Sequence, residues 1–209
     1  GYMYGDPDAT TFAEVHANNN DSTIKTAVDG WYKTNIVDNG YSQYISAAVG
    51  FCGDRSLHSS SGGDGITNTI DTTFGSYARY QISAAQFTCP DPSRDLYTTA
   101  DSSVGNKALT YPVGLITYDE MVFAGMDNKH INKLSWIYST GHTWTMSPSY
   151  FDAAHSYAYE WFEHPDGYLG LWWSVANSHS ARPVINLKAD TRISGGTGTA
   201  NDPFIVETN

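Results

Sequence analysis

The sequence predicts an α+β protein, on three observations. Two amphipathic segments lie within the first 125 residues, strand-like alternation runs from residue 134 to the end, and a stretch rich in Ser, Gly and Asp with little periodicity lies between them. A length of 209 residues suits one domain, 1–209, large enough to bury a core without a metal or many crosslinks.

Residues 1–20 are polar and close on Asn18-Asn19-Asn20-Asp21, which reads as a loop. Asp21 or Ser22 suits a helix N-cap, and Ile24, Ala27, Val28, Trp31 and Tyr32 recur at helical spacing, so a helix is expected over 22–36. Asn39-Gly40 stops it, and Tyr41, Tyr44 and Ile45 suggest a short aromatic turn. Ser59 to Gly65 reads as a flexible loop. Residues 77–82, Tyr-Ala-Arg-Tyr-Gln-Ile, alternate and predict a strand. Residues 111–116 predict a short apolar strand leading into Thr117-Tyr118-Asp119-Glu120, a capping box that opens a second helix, which Gly125 ends. Asp119 and Glu120 are therefore read as cap and dipole partners before any acid/base role.

From 134 onward the pattern is β. Strands are expected at 134–138, at 144–146, and at 156–161, where Tyr157, Tyr159 and Trp161 alternate with Ser156, Ala158 and Glu160. A turn at His164-Pro165-Asp166-Gly167 returns the chain as 168–175, and 184–187 and 204–206 follow, with a loop at 194–199.

The net charge of −11 reflects only 11 Lys plus Arg against 22 Asp plus Glu, a surface that repels nucleic acid and anionic lipid. Charged residues are only 16% of the chain, while Gly, Ser, Thr, Asn and Tyr abound, as in loop-rich extracellular proteins. Cys52 and Cys89 both sit in loop-like sequence and are expected to pair in a secreted setting, closing a loop of roughly 37 residues. No signal peptide, membrane span or lipidation motif is read, so any export signal or anchor is expected outside this sequence.

Five segments in order carry a family resemblance: STIKTAVDGWYKTNI, GFCGDRS, GNKALTYPVGLITYDEMVFAG, TWTMSPSYF, and DGYLG followed by ARPVINLKAD and ISGGTGTANDPF. Together they resemble bacterial surface proteins of gut Firmicutes and their relatives, over about residues 11 to 206. The resemblance implies a C-type-lectin-like fold with two helices, a twisted antiparallel sheet and long irregular loops, shared with formylglycine-generating enzymes. It is also similar to the variable proteins of diversity-generating retroelements, whose C-terminal surface residues are hypermutated for ligand binding. Some related surface proteins carry a type IV pilin-like N-terminal helix, which this sequence does not show. Where the family reads Gly-Val before Arg-Pro, this sequence has Ser180-Ala181, after an unusually aromatic segment, 171–179.

The expected function is therefore a secreted or surface-displayed ligand-binding domain, not an enzyme. Its face is expected within 144–181, with Tyr159, Trp161, Trp172, Trp173, Asn177 and His179 as contacts to a protein or glycan on a cell surface. Aromatic rings give large contact area at small entropy cost, and on a two-residue period Trp172 and Trp173 cannot both point inward. Arg182 is read as an anchor whose guanidinium satisfies buried carbonyls. The rivals are a filament-subunit head that associates with itself and a glycan-active enzyme using Asp152, Glu160, Glu163 or Asp166. His155, His164 and His179 lack metal-ligand spacing, and Cys52 and Cys89 lie too far apart for a zinc set, so no metal site is assigned. No cofactor is expected, with a structural calcium left open at the Asp/Asn clusters 18–21, 127–128 and 201–202.

Overall fold

The computed structural model describes residues 4, 5, 10, 11, 14, 17–64, 69–199 and 201–208. Most of the expected N-terminal loop before residue 17, and Gly65 of the expected Ser/Gly loop, lie outside the described residues. The protein is α+β, with short helices and mainly antiparallel strand pairs.

Helix α1 (Thr23–Tyr32) forms where the spacing predicts it. Ser22 lies in extended backbone and its hydroxyl accepts from the Lys25 amide at 3.1 Å. Val28 and Tyr32 turn into the core. Lys25 is buried too, which its bonds to Asp29 (2.6 Å) and Asp21 (3.3 Å) make tolerable. The helix continues as a π-helical turn, Lys33–Val37, and Gly40 closes the region at φ 75°, a conformation glycine adopts without a Cβ clash.

The aperiodic middle is held by pairings that sequence periodicity does not signal. Strand β1 (Phe51–Cys52) pairs antiparallel with β3 (Leu96–Tyr97), and Cys52 is disulfide-bonded to Cys89. Strand β2 (Thr72–Thr73) precedes helix α2 (Gly75–Gln81), and helix α3 (Pro92–Asp95) leads into β3. The strand expected at 77–82 is thus a helix. Tyr77 and Tyr80 are three residues apart, which puts them on one helical face with their ring centroids 5.7 Å apart.

Strand β4 (Val113–Gly114) delivers the chain to helix α4 (Tyr118–Phe123). The capping box is complete: Thr117 Oγ1 accepts from the Glu120 amide at 3.1 Å, and the Glu120 carboxylate accepts from the Thr117 amide at 2.8 Å. Asp119 does more than serve the helix dipole. Its carboxylate takes two bonds from Arg79, at 2.6 and 2.7 Å, and one from the Gln86 amide at 2.8 Å. The strand expected at 134–138 does not form; that segment is irregular, with Leu134 97% and Trp136 68% exposed.

The principal sheet contains β2, β5 (Thr143–Asp152), β6 (Tyr157–Glu163) and β7 (Leu169–Ser174) in that order, and β8 (Ser180–Ala181) runs parallel to β5. Strand β9 (Val184–Ile185) pairs with β4, and β10 (Ile193–Gly195) with β11 (Ile205–Val206), so the loop expected at 194–199 begins as strand. Successive residues of β6 serve different cores. Phe162 joins Trp144, Met146, Val28, Tyr32 and Leu115, whereas Trp161 joins Tyr118, Met121, Ile137, Leu169 and Leu171.

The pairing of β6 with β7 is interrupted. Glu160 faces Trp173 and Phe162 faces Gly170, so two steps on β6 match three on β7. The additional residue is a β-bulge, with Leu171 and Trp172 together opposite Trp161. Phe162 lies over Gly170, where an added Cβ would fall 2.1 Å from the ring.

Replacing both cysteines, Cys52→Ser with Cys89→Ser, should destabilise the fold by about 4 kcal/mol in the chain-entropy account of a closed loop this long, read as a lower urea midpoint.

Candidate functional site: the two sides of an edge strand

Strand β7 is the last strand of the sheet among the described residues; alternation sends its two adjacent indoles to opposite sides, and the bulge sets which neighbours each one meets. Trp172 is 54% exposed and Trp173 39%. Both are half-open rings with fixed neighbours.

On one side, Trp172 packs roughly perpendicular to three phenols. Tyr150 (5.5 Å, 76°) comes from β5, Tyr159 (5.7 Å, 84°) from β6, and Tyr77 (6.2 Å, 65°) from α2. Tyr157 extends the group edge-on to Tyr159 and stacks with His155. Two carboxylates stand at the rim. Asp71 accepts from the Tyr150 hydroxyl and from the Ala153 amide at 2.9 Å. Asp152 accepts from the His155 amide at 3.2 Å and lies 2.8 Å from His155 Nδ1. The His155 contact holds the Asp152 pKa below its ordinary value. Burial, then the bond to Asp71, raises that of Tyr150, so the phenol stays protonated.

On the other side, Trp173 lies against His142 (4.5 Å, 21°), His179 (4.4 Å, 34°) and Phe162 (5.5 Å, 41°). The two imidazoles stack on each other at 5.0 Å, and His164 meets His142 edge-on at 4.8 Å. Trp144 backs His179 at 4.4 Å. The Nε2 atoms of His142 and His179 are buried with no hydrogen-bond partner among the described residues. Burial and mutual repulsion favour neutral rings here. The pKa of His179 falls to about 4, from burial first and the His142 charge second; that of His142 falls from burial first and the His164 charge second.

Of the residues singled out from sequence, Tyr159 and Trp172 meet on the first side, and Trp173 and His179 on the second. Trp161 does not belong to either. It is fully buried, its ring centroid 4.3 Å from that of Tyr118 at a tilt of 37°, and its indole N–H donates to Ser76 Oγ at 2.9 Å, so it is a core residue and not a surface contact. Asn177 is exposed just beyond β7, where its amide and side chain both bond the Ser174 carbonyl in a turn. Arg182 anchors as expected, donating to the Ile137 carbonyl and reaching Glu163 at 3.4 Å. Tyr77, Tyr150 and His142 were missed. They come from distant segments, and tertiary packing brings the two tyrosines to Trp172 and His142 to Trp173.

The carboxylates considered for glycoside chemistry are dispersed. Glu160 and Glu163 are buried, and Glu163 accepts from the Ser139 amide and hydroxyl. Desolvation raises the Glu163 pKa. Asp166 lies 3.8 Å from Lys133. Several residues of the clusters considered for calcium make local bonds: Asn18 donates to the Arg94 carbonyl, Asp127 accepts from the Lys129 and His130 amides, and Asn128 donates to the Leu169 carbonyl. Among the described residues, no group of three or more His, Cys, Asp and Glu is placed to hold a metal ion. No helix among them is long and apolar enough to cross a membrane.

No family model, curated protein or solved structure matches the chain. The functional reading therefore rests on the geometry of the β7 edge and on the residue patterns themselves.

The histidine stack has a thermodynamic signature. An unfolded chain binds a proton at His179 near pH 6.5, which the folded chain refuses until about pH 4. The contribution of this site to stability is thus full above about pH 6.5 and is lost as pH falls toward 4. Thermal unfolding followed over that range should show a falling midpoint, with a shallower fall in His179→Gln; equal slopes in the two proteins would contradict the assignment.

Proposed function

We propose that this chain is a ligand-binding domain, secreted or displayed on a bacterial surface, that works by binding and not by catalysis, and that its fold is C-type-lectin-like. The observation that carries the reading is the β7 edge: two adjacent indoles, each half open to solvent and each held by aromatic neighbours. Rings fixed before contact lose little entropy on binding, which is why Trp and Tyr dominate binding hot spots. The early helices, the antiparallel sheet and the long irregular connections support the fold assignment. The Cys52–Cys89 disulfide is consistent with an oxidising, extracellular setting. Engagement of Glu163 and Asp152 in local bonds favours binding over hydrolysis. Resemblance to the variable proteins of retroelements makes 144–187 the segment to expect diversified.

A second reading, a filament-subunit head, is favoured by a separate feature. Ile131 (67%), Leu134 (97%), Trp136 (68%) and Phe123 (77%) stand exposed on α4 and the irregular segment that follows it, a set of apolar side chains that solitary proteins seldom display. If that surface joins copies, sedimentation should show concentration-dependent oligomers that Leu134→Ser with Trp136→Ser returns to monomers.

Binding to glycan and cell-surface panels tests the first reading. Trp172→Ala and Trp173→Ala should each weaken capture by about 2 kcal/mol, the scale of a hot spot. Thermal unfolding run alongside separates lost contact from lost fold. Wild-type capture by folded double mutants would remove the edge as the binding face.

A further inference from the structure

Resting on the binding reading above, we infer that the Trp172 side of the sheet takes an uncharged pyranose glycan, with a sugar ring laid on the indole and its hydroxyls directed to Asp71 and Asp152.

The first argument is shape and stiffness. A pyranose presents a flat patch of C–H groups carrying slight positive charge, which an aromatic face attracts through its negative quadrupole. Trp172 is more than half open, and contacts with Tyr77, Tyr150 and Tyr159 at 5.5–6.2 Å fix its ring. Those phenols are themselves tied to the scaffold, Tyr150 through its hydroxyl bond to Asp71 and Tyr77 through helix α2. The platform exists before any ligand arrives.

The second argument is hydrogen-bond polarity. Sugar hydroxyls need acceptors as well as donors, and the rim supplies acceptors. Both carboxylates are already oriented, Asp71 by the Ala153 amide and Asp152 by the His155 amide and ring. Each carboxylate oxygen has more than one lone-pair site, so these bonds aim the group without exhausting it.

The third argument is charge. The residues of the platform and rim include two aspartates and no lysine or arginine, on a chain of net charge −11. An acidic sugar would meet repulsion from the two carboxylates, so the fit is to neutral rings. The fourth argument is area. Four partly exposed rings offer on the order of 300 Å², well below the ~800 Å² per partner of a stable protein interface, yet ample for one or two sugar units.

The test is titration of the intact protein with neutral cello-, manno- and galacto-oligosaccharides and with an oligogalacturonate, following the indole N–H resonances and the heat of binding. At least one neutral series should shift the Trp172 resonance, and its affinity should be insensitive to salt. Trp172→Ala should weaken that binding about thirtyfold, Trp172→Phe should restore part of it, and Asp152→Asn should weaken it about fivefold. Trp31→Ala, on helix α1, should stay within about twofold. Preference for the oligogalacturonate, or undiminished affinity in folded Trp172→Ala, would overturn the inference. Silence toward every sugar, with Trp172-dependent capture of cell-surface protein, would overturn it while leaving the binding reading intact. Silence toward sugars and cell surfaces alike would remove both.

Discussion

One surplus residue on β7 determines what the sheet can present. Without the bulge, Trp172 would share the side of Gly170, and Trp173 that of Leu169 and Leu171. The indoles would then exchange neighbours, with Trp172 placed toward Phe162 and Trp173 toward the tyrosines. Strand alternation separates the pair in either case; by placing Leu171 and Trp172 together opposite Trp161, the bulge decides which indole enters the phenolic, acidic setting and which the one lined with imidazoles. Trp161 fixes the register from below. Its ring is packed among Tyr118, Tyr80 and the second core, and its N–H is satisfied by Ser76, which in turn donates to the Pro148 carbonyl. Slippage of β6 by one residue would expel that indole and turn Phe162 into its place.

Buried ion pairs tie the irregular half of the chain to itself and to helix α4. Arg79 on α2 spans Asp119 and Asp54, at 2.6 and 2.8 Å, linking three segments far apart in sequence. Arg55 and Asp95, both almost wholly buried, meet at 2.8 Å, and Arg94 adds a second cation at 2.7 Å. Pairs of this kind are poor contributors to net stability but costly to break singly, because the remaining charge is left without water or partner. They specify an arrangement that few apolar side chains in the 50–106 region could specify. The disulfide acts in the same region by restricting the unfolded chain.

Much of this fold was legible in the sequence where a local rule governs. Helix α1 follows from apolar spacing and the Ser22 cap, helix α4 from the Thr117/Glu120 box, the β6–β7 hairpin from alternation around a Gly-containing turn, and Arg182 from its entry into a core strand. Misreadings arise where distant partners decide. Tyr77 and Tyr80 looked like strand alternation but occupy a helix whose tyrosines pack against Trp172 and Trp161. Residues 134–138 have strand composition, yet no neighbouring strand offers them a partner among the described residues. Trp161 shares a period with Tyr157 and Tyr159, and period alone cannot say that the C-terminal end of β6 is covered while its start is open. His142, a single residue in a Gly-His pair, gains meaning only once β7 and the segment before β8 bring Trp173 and His179 over it.

An outermost strand carrying two large apolar rings would ordinarily invite another chain to zip alongside it. Here the invitation is withdrawn at two points along the strand. Near its start, the amide of Leu169 is taken by the Asp127 carbonyl and the carbonyl of Leu169 by Asn128. Farther along, the bulge throws the remaining backbone groups out of step, so an incoming ribbon finds no regular ladder to extend. The molecule can thus hold out sticky side chains for recognition while denying its main chain to fibril growth.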